Sequence, residues 1–179
     1  MPLPLPIRRL AVHHGLAPIT SLALLLSLGN AVQGEGFGRW DTTLRECTLL
    51  HGLVELPLQA HRQPCQRLRL EQNMEGLLSV RLIQPSAHQR FGSQNLIFGG
   101  VLAEGQQTMR CDANGECEPR WPIHLEVATV ASNLINGQGV APTLPMAQLA
   151  RGRCRLERRT LQCQARDQNG QFWEAKGRH

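Results

Sequence analysis

Arg151-Gly152-Arg153-Cys154-Arg155-Leu156-Glu157-Arg158-Arg159-Thr160-Leu161-Gln162-Cys163-Gln164-Ala165-Arg166 is the stretch that decides the fold. Folded about Arg158 and Arg159, it sets Leu156 opposite Leu161 and Cys154 opposite Cys163, with Ala165 on the same face. The other face then carries Arg151, Arg153, Arg155, Gln162, Gln164 and Arg166. Alternation with a period of two marks a strand buried on one side, and here one period accounts for both the apolar residues and the charge. With a two-residue loop, both facing pairs take non-hydrogen-bonded positions, where a disulfide can span the gap. Two arginines are poor occupants of the left-handed conformations that a tight type I′ turn needs, so a wider or slipped turn is the alternative.

A second hairpin has the same design. In Cys111-Asp112-Ala113-Asn114-Gly115-Glu116-Cys117 a three-residue loop ends on Gly115, where glycine tolerates the left-handed backbone. Asp112 and Glu116 then flank the loop, and Cys111 faces Cys117. All six cysteines suit an oxidised framework: Cys111 with Cys117, Cys154 with Cys163 and, by chain order alone, Cys47 with Cys65. A loop as short as the second restricts the unfolded chain by only about 2 kcal/mol, so the cross-links supplement a core rather than replace one.

Working outward, Leu68, Leu70, Val80 and Leu82 alternate with Arg67, Arg69 and Arg81, which predicts two antiparallel strands with the leucines and valine inward. Residues 95–102 suggest a more buried strand with a bulge at Gly99 and Gly100. Ile123, Leu125 and Val127 alternate with His124 and Glu126, after which the two-residue period is lost through Ala131 and Leu134 and a short helix before Gly137 is the expectation. Near the start of the domain, Thr43 to Glu46 fits a helix-capping box, but strands over residues 47–50 and 53–58, turning at Gly52, fit slightly better. Residues 57–64 and 85–93 look irregular. Asn169-Gly170 is a turn that returns the chain through Phe172 and Trp173. The whole predicts six to eight short strands: an all-β or predominantly β fold, whether small antiparallel sheet, partly open barrel or sandwich, with disulfide-linked hairpins.

Residues 1–31 have the form of a cleavable signal peptide, with Arg8 and Arg9 before an apolar run and small residues before a cut after Ala31. The run is too short to cross a bilayer comfortably. Residues 32–40 then form a flexible leader, and residues 41–179 a single exported β-rich domain, extracytoplasmic and either periplasmic or secreted. Cleavage removes two of nineteen basic residues and none of the fourteen acidic ones, lowering the formal charge from +5 to +3.

That modest charge, together with export and the lack of interleaved basic and aromatic residues, argues against nucleic acid. The strongest candidate site is an outward arginine face of Arg151, Arg153, Arg155 and Arg166, with Arg158 and Arg159 nearby and a possible extension through Arg67, Arg69 and Arg81. Guanidinium groups pair bidentately with carboxylate, sulfate or phosphate, so the partners would be an anionic glycan, an envelope polymer or an acidic protein surface. The same arginines would also serve as a solvated face that keeps strands from pairing wrongly.

Asp112, Asn114, Glu116 and Glu118 lack the spacing of a calcium loop, and Arg110 opposite Glu118 supplies a local counter-charge. His51 and His61 could approach Cys47 and Cys65, but disulfides leave no thiolates for zinc. No metal, cofactor or catalytic residue is therefore assigned. His124 and Glu126, with Asp41 unplaced, are the nearest thing to an acid and base pair, and no nucleophile motif accompanies them. Trp40, Trp121 and Trp173 suit core or rim positions better than a sugar-binding row. The function these features point to is a non-catalytic binding, accessory or cell-envelope protein, the alternative being a secreted hydrolase or lyase with an unrecognised site.

Overall fold

The computed structural model describes residues 37–74, 76–85 and 91–178. The expected signal peptide over residues 1–31 and its cut after Ala31 lie outside them, as does most of the leader. The strands are β1 (Gly38–Thr43), β2 (Glu46–Leu53), β3 (His61–Pro64), β4 (Arg67–Met74), β5 (Leu77–Pro85), β6 (Phe91–Leu102), β7 (Arg110–Cys111), β8 (Cys117–Glu118), β9 (Ile123–Asn136), β10 (Met146–Leu156), β11 (Thr160–Arg166) and β12 (Gln171–Arg178). Twelve strands among the described residues exceed the six to eight expected, because several join without the punctuation that a sequence shows. Gly38 to Trp40, expected in the leader, already belong to β1.

Ten strands form one antiparallel sheet in the order β1-β4-β5-β6-β9-β10-β11-β12-β2-β3, with β7 and β8 a separate ribbon. The two ends of this order are covalent neighbours of its interior. β1 passes into β2 across Leu44 and Arg45, and β3 into β4 across Cys65 and Gln66. Leu44 N donates to Gln66 O at 2.8 Å and Cys65 N to Cys47 O at 3.3 Å, carrying the pairing across the bend. The sheet thus curls into a half-barrel whose ends meet at a corner. The Cys47–Cys65 disulfide, with Cα atoms 5.0 Å apart, and buried Leu44 sit at that corner.

The inward face is the core. Leu68, Leu70, Val80, Leu82, Phe98 and Leu156 are fully buried there. Cys154 and Cys163 lie on the same face, directly paired and disulfide-bonded at a Cα separation of 4.0 Å. The register expected for this hairpin holds, Leu156 facing Leu161 and Glu157 N donating to Thr160 O. The turn keeps two residues without slipping, and neither arginine takes a positive φ; the inward leucines and the disulfide hold the register that the loop residues do not favour.

Three expectations fail for physical reasons. β9 continues as strand through residues 131–134 instead of turning helical, because Gly99 pairs with Thr129 and Gly100 with Val127, leaving Ala128 without a partner on β6. After this bulge Val130, not Thr129, points inward, so the two-residue period is shifted rather than lost. β2 runs straight through Gly52, which is no turn: a Cβ there would lie 2.9 Å from the Ala60 Cβ and 3.2 Å from the Phe172 ring, so the glycine permits close packing. Residues 53–58 consequently form no second strand; a single 3₁₀ turn (Pro57–Gln59) leads into β3, within the stretch expected to be irregular. Likewise Phe91 to Ser93 join β6 rather than the preceding loop.

Tight connections reuse one device. Asp112 Oδ1 accepts the N–H groups of Asn114 and Glu116, and Asp167 Oδ1 those of Asn169 and Gln171, at 2.8–2.9 Å. Asn136 Oδ1 does the same for Gln138 and Val140. Each loop has a glycine with φ near +80° three residues on, at Gly115, Gly170 and Gly139, the left-handed corner that the motif needs. The first of these hairpins has the predicted Cys111–Cys117 bond and the Arg110–Glu118 ion pair. It closes one end of the half-barrel, where Met109 N donates to Gln72 Oε1 at 2.8 Å and Trp40 meets Trp121 edge to face at 5.4 Å.

Candidate anion-binding face

Strands β10 and β11 present the four candidate arginines together. Arg151 is directly opposite Arg166, Arg153 opposite Gln164 and Arg155 opposite Gln162, all exposed and all on the outer face. On the other side of β10, β9 sets Glu126 beside Arg153 and His124 beside Arg155. Arg155 Nε donates to Glu157 Oε1 at 2.8 Å. No carboxylate among the described residues lies within 4.0 Å of Arg151, Arg153 or Arg166. Like charges directly across an antiparallel pair repel, so the Arg151 and Arg166 guanidiniums form a spot of uncompensated positive charge.

The face is grooved rather than convex. His124, Glu126, Arg151, Arg153 and Arg155 line an open trough of about 610 Å³ along β9 and β10. The Nε2 of His124 is buried without a hydrogen-bond partner among the described residues, and its backbone N–H is held by Gln106 Oε1 at 3.0 Å. His124 and Glu126 therefore do share a face, as their spacing requires. Asp41 does not join them: it sits on β1, four places away in the sheet, bound to Arg69 at 2.8 Å and Arg67 at 3.3 Å.

The expected extension through Arg67, Arg69 and Arg81 is absent. These arginines project from β4 and β5, with β6 and β9 between them and the candidate face. Asp41 pairs with the first two, while Glu71 pairs with Arg81 at 2.7 Å and lies 3.8 Å from Arg69. Arg67, Arg69 and Glu71 occupy alternate positions of one strand, so one acid of this patch was visible in the sequence. The other, Asp41, comes from a strand whose pairing no local pattern announces.

Among the described residues no group of three or more histidine, cysteine, aspartate or glutamate side chains is placed to hold a metal ion. The Asp112 carboxylate is engaged by its own turn. His51 and His61 face each other across β2 and β3 rather than approaching the Cys47–Cys65 disulfide, and the His51 ring stacks on Trp173 at 5.0 Å, within 6° of parallel. Trp173 is buried and Trp40 and Trp121 pack on each other, so the three tryptophans form no exposed row.

Fold and surface together define a small disulfide-stabilised β-sheet protein with exposed arginines and no catalytic metal or aromatic cluster among its described residues. No protein-family model, curated protein or solved structure matches the chain.

Proposed function

We propose that the chain is an exported, non-catalytic binding or accessory protein of the cell envelope that recognises an anionic partner through Arg151, Arg153, Arg155 and Arg166. The observation that carries this reading is the facing pair of Arg151 and Arg166, exposed and without a carboxylate partner among the described residues. A bound anion bridging two guanidiniums relieves their repulsion and forms charge-assisted hydrogen bonds. Export is supported by three disulfides and the absence of a free cysteine. No helix among the described residues is long and apolar enough to cross a membrane.

The test is Arg153→Gln/Arg155→Gln/Arg166→Gln, preceded by profiling of anionic glycans, envelope polymers and acidic proteins for a binder. The variant keeps the fold, because all three side chains face away from the core, and loses a salt-sensitive share of the binding. Unchanged affinity for the binder found with the parent chain would remove this face from the function.

A further inference from the structure

Among the described residues no hairpin closes the end of the half-barrel opposite the Cys111–Cys117 hairpin, and most of their exposed apolar surface collects there. Eight of the eleven large hydrophobic side chains left exposed among the described residues belong to two segments. One is Leu53, Val54, Leu56 and Leu58, the last fully exposed. The other is Val140, Leu144, Met146 and Leu149, with Leu144 89% exposed. Both rise from the rim of one cavity, since His51 and His61 at the root of the first segment and Met146 and Gln148 at the root of the second line it together. The segments are two lips across one mouth.

What lies between the lips is not a hydrocarbon tunnel. The cavity measures about 130 Å³, and uncharged polar side chains, among them Gln84 and Gln94, line it beside apolar Leu49, Leu96, Val130 and Trp173. Of the eight exposed apolar side chains Met146 lines the cavity, while the other seven stand outside it, where a shallow apolar layer would cover them. Behind the tips is a cationic collar. Leu149 is followed two residues later by Arg151; Arg166 faces Phe172, which faces Gly52 beside Leu53; Arg62 is exposed on β3 opposite Leu50. Among the described residues the acids at this end are Glu55, on the first lip, Asp167, whose Oδ1 is engaged by two backbone N–H groups, and Glu174, which faces Leu50 in the same cross-strand row as Arg62.

Apolar tips backed by arginines match a bilayer interface, where side chains enter the acyl boundary while guanidiniums meet lipid phosphates. We infer that this end docks on an anionic phospholipid surface, with Leu58 and Leu144 as the leading insertions and Arg151 and Arg166 on the headgroups. Because it shares those two arginines with the anion-binding face, the inference rests on that reading, and it names the partner as a membrane surface.

The test is co-sedimentation of the exported chain, as recovered from cells, with vesicles of phosphatidylethanolamine and phosphatidylglycerol, against phosphatidylcholine alone and against soluble dextran sulfate. Binding to the anionic vesicles is expected, weakening with salt. Leu58→Asp/Leu144→Asp should lower it at least about tenfold while leaving dextran sulfate binding intact; because the comparison is within one preparation, it excludes binding carried by residues 1–36. Arg151→Gln/Arg166→Gln should weaken both. Both leucines are exposed, so circular dichroism of the variant should match the parent; if it does not, Leu144→Trp supplies the second reading, a blue shift of emission on anionic vesicles. Dextran sulfate binding without vesicle binding would overturn the membrane inference and leave the arginine face standing, whereas loss of both would remove both. Vesicle binding undiminished in the leucine variant, no blue shift, or leucine-dependent dimerisation without vesicle binding would each overturn the inference.

Discussion

Arg67, Arg69 and Arg81 on one side of the sheet, and Arg151, Arg153 and Arg166 on the other, arise from the same sequence pattern, arginines at alternate positions of half-buried strands. Their surroundings differ. The first three share Asp41 and Glu71 in a half-buried network, whereas the second three have no carboxylate within 4.0 Å among the described residues. Each group also has its own means of holding strands together. Ion pairs cross β1, β4 and β5 on the outer face; behind Arg153 and Arg155 the buried Cys154–Cys163 disulfide ties β10 to β11 from the inside. No disulfide joins β1, β4 and β5 to one another where the outer charges are matched, whereas one joins β10 to β11 beneath Arg151 and Arg166, which have no carboxylate within 4.0 Å among the described residues.

The largest effect should come from removing that staple. Cys154→Ala/Cys163→Ala deletes a buried cross-link and leaves Arg151 facing Arg166 with only backbone pairing and side-chain packing between the strands. A loss of about 3 kcal/mol is expected in urea unfolding. The loss should shrink when salt screens the arginines. A loss independent of salt would show that the disulfide does not counter the charged face.

How much of this was legible before the fold is itself uneven. The β10–β11 register, the inward Leu68, Leu70, Val80 and Leu82, and all three disulfides follow from local alternation and cysteine order. The corner at Leu44 and Cys65 does not, because closing it requires β1 to meet β4 and β2 to meet β3; no turn residue marks the bend at Leu44, and Pro64 before the bend at Cys65 says nothing of which strands meet there. β3 was hidden because His61-Arg62-Gln63-Pro64 contains no apolar residue, being an edge strand. The β9 bulge fell on Ala128 and Thr129, side chains too indifferent to burial to reveal a shift of face. Leu53 to Leu58 misled in the other direction: apolar residues imply burial, yet these stay exposed at the open mouth. Of the candidate site, the arginines were readable from their period, but their lack of counter-charges was not, since ion pairing with partners such as Asp41 depends on distant strands.

An intermediate effect should convert the matched patch into a copy of the unmatched one. Glu71→Gln keeps the shape of the side chain but removes the charge that Arg81 Nε and Nη2 approach at 3.2 and 2.7 Å. Both partners are about four-fifths buried, so about 1 kcal/mol of stability should be lost. The variant should also gain salt-sensitive retention on a polyanion column. Lost stability without added retention would mean that counter-charge alone does not distinguish the two faces.

The smallest effect runs the opposite way. Arg166→Glu places a carboxylate directly across from Arg151 and turns a repelling pair into an attracting one, on a surface where the pleat brings the two residues face to face. Cross-strand pairs of this kind differ by roughly 0.2–1 kcal/mol, so the urea midpoint should rise slightly at low salt and the gain should vanish at high salt. Arg166→Gln, which removes repulsion without adding attraction, should fall between the variant and the parent. The same ordering must invert for anion binding: the parent binds most, the glutamine less, the glutamate least. If the glutamate variant were no more stable than the parent at low salt, Arg151 and Arg166 would not repel in the folded protein, and relief of their repulsion could not contribute to binding at the proposed anion-binding face.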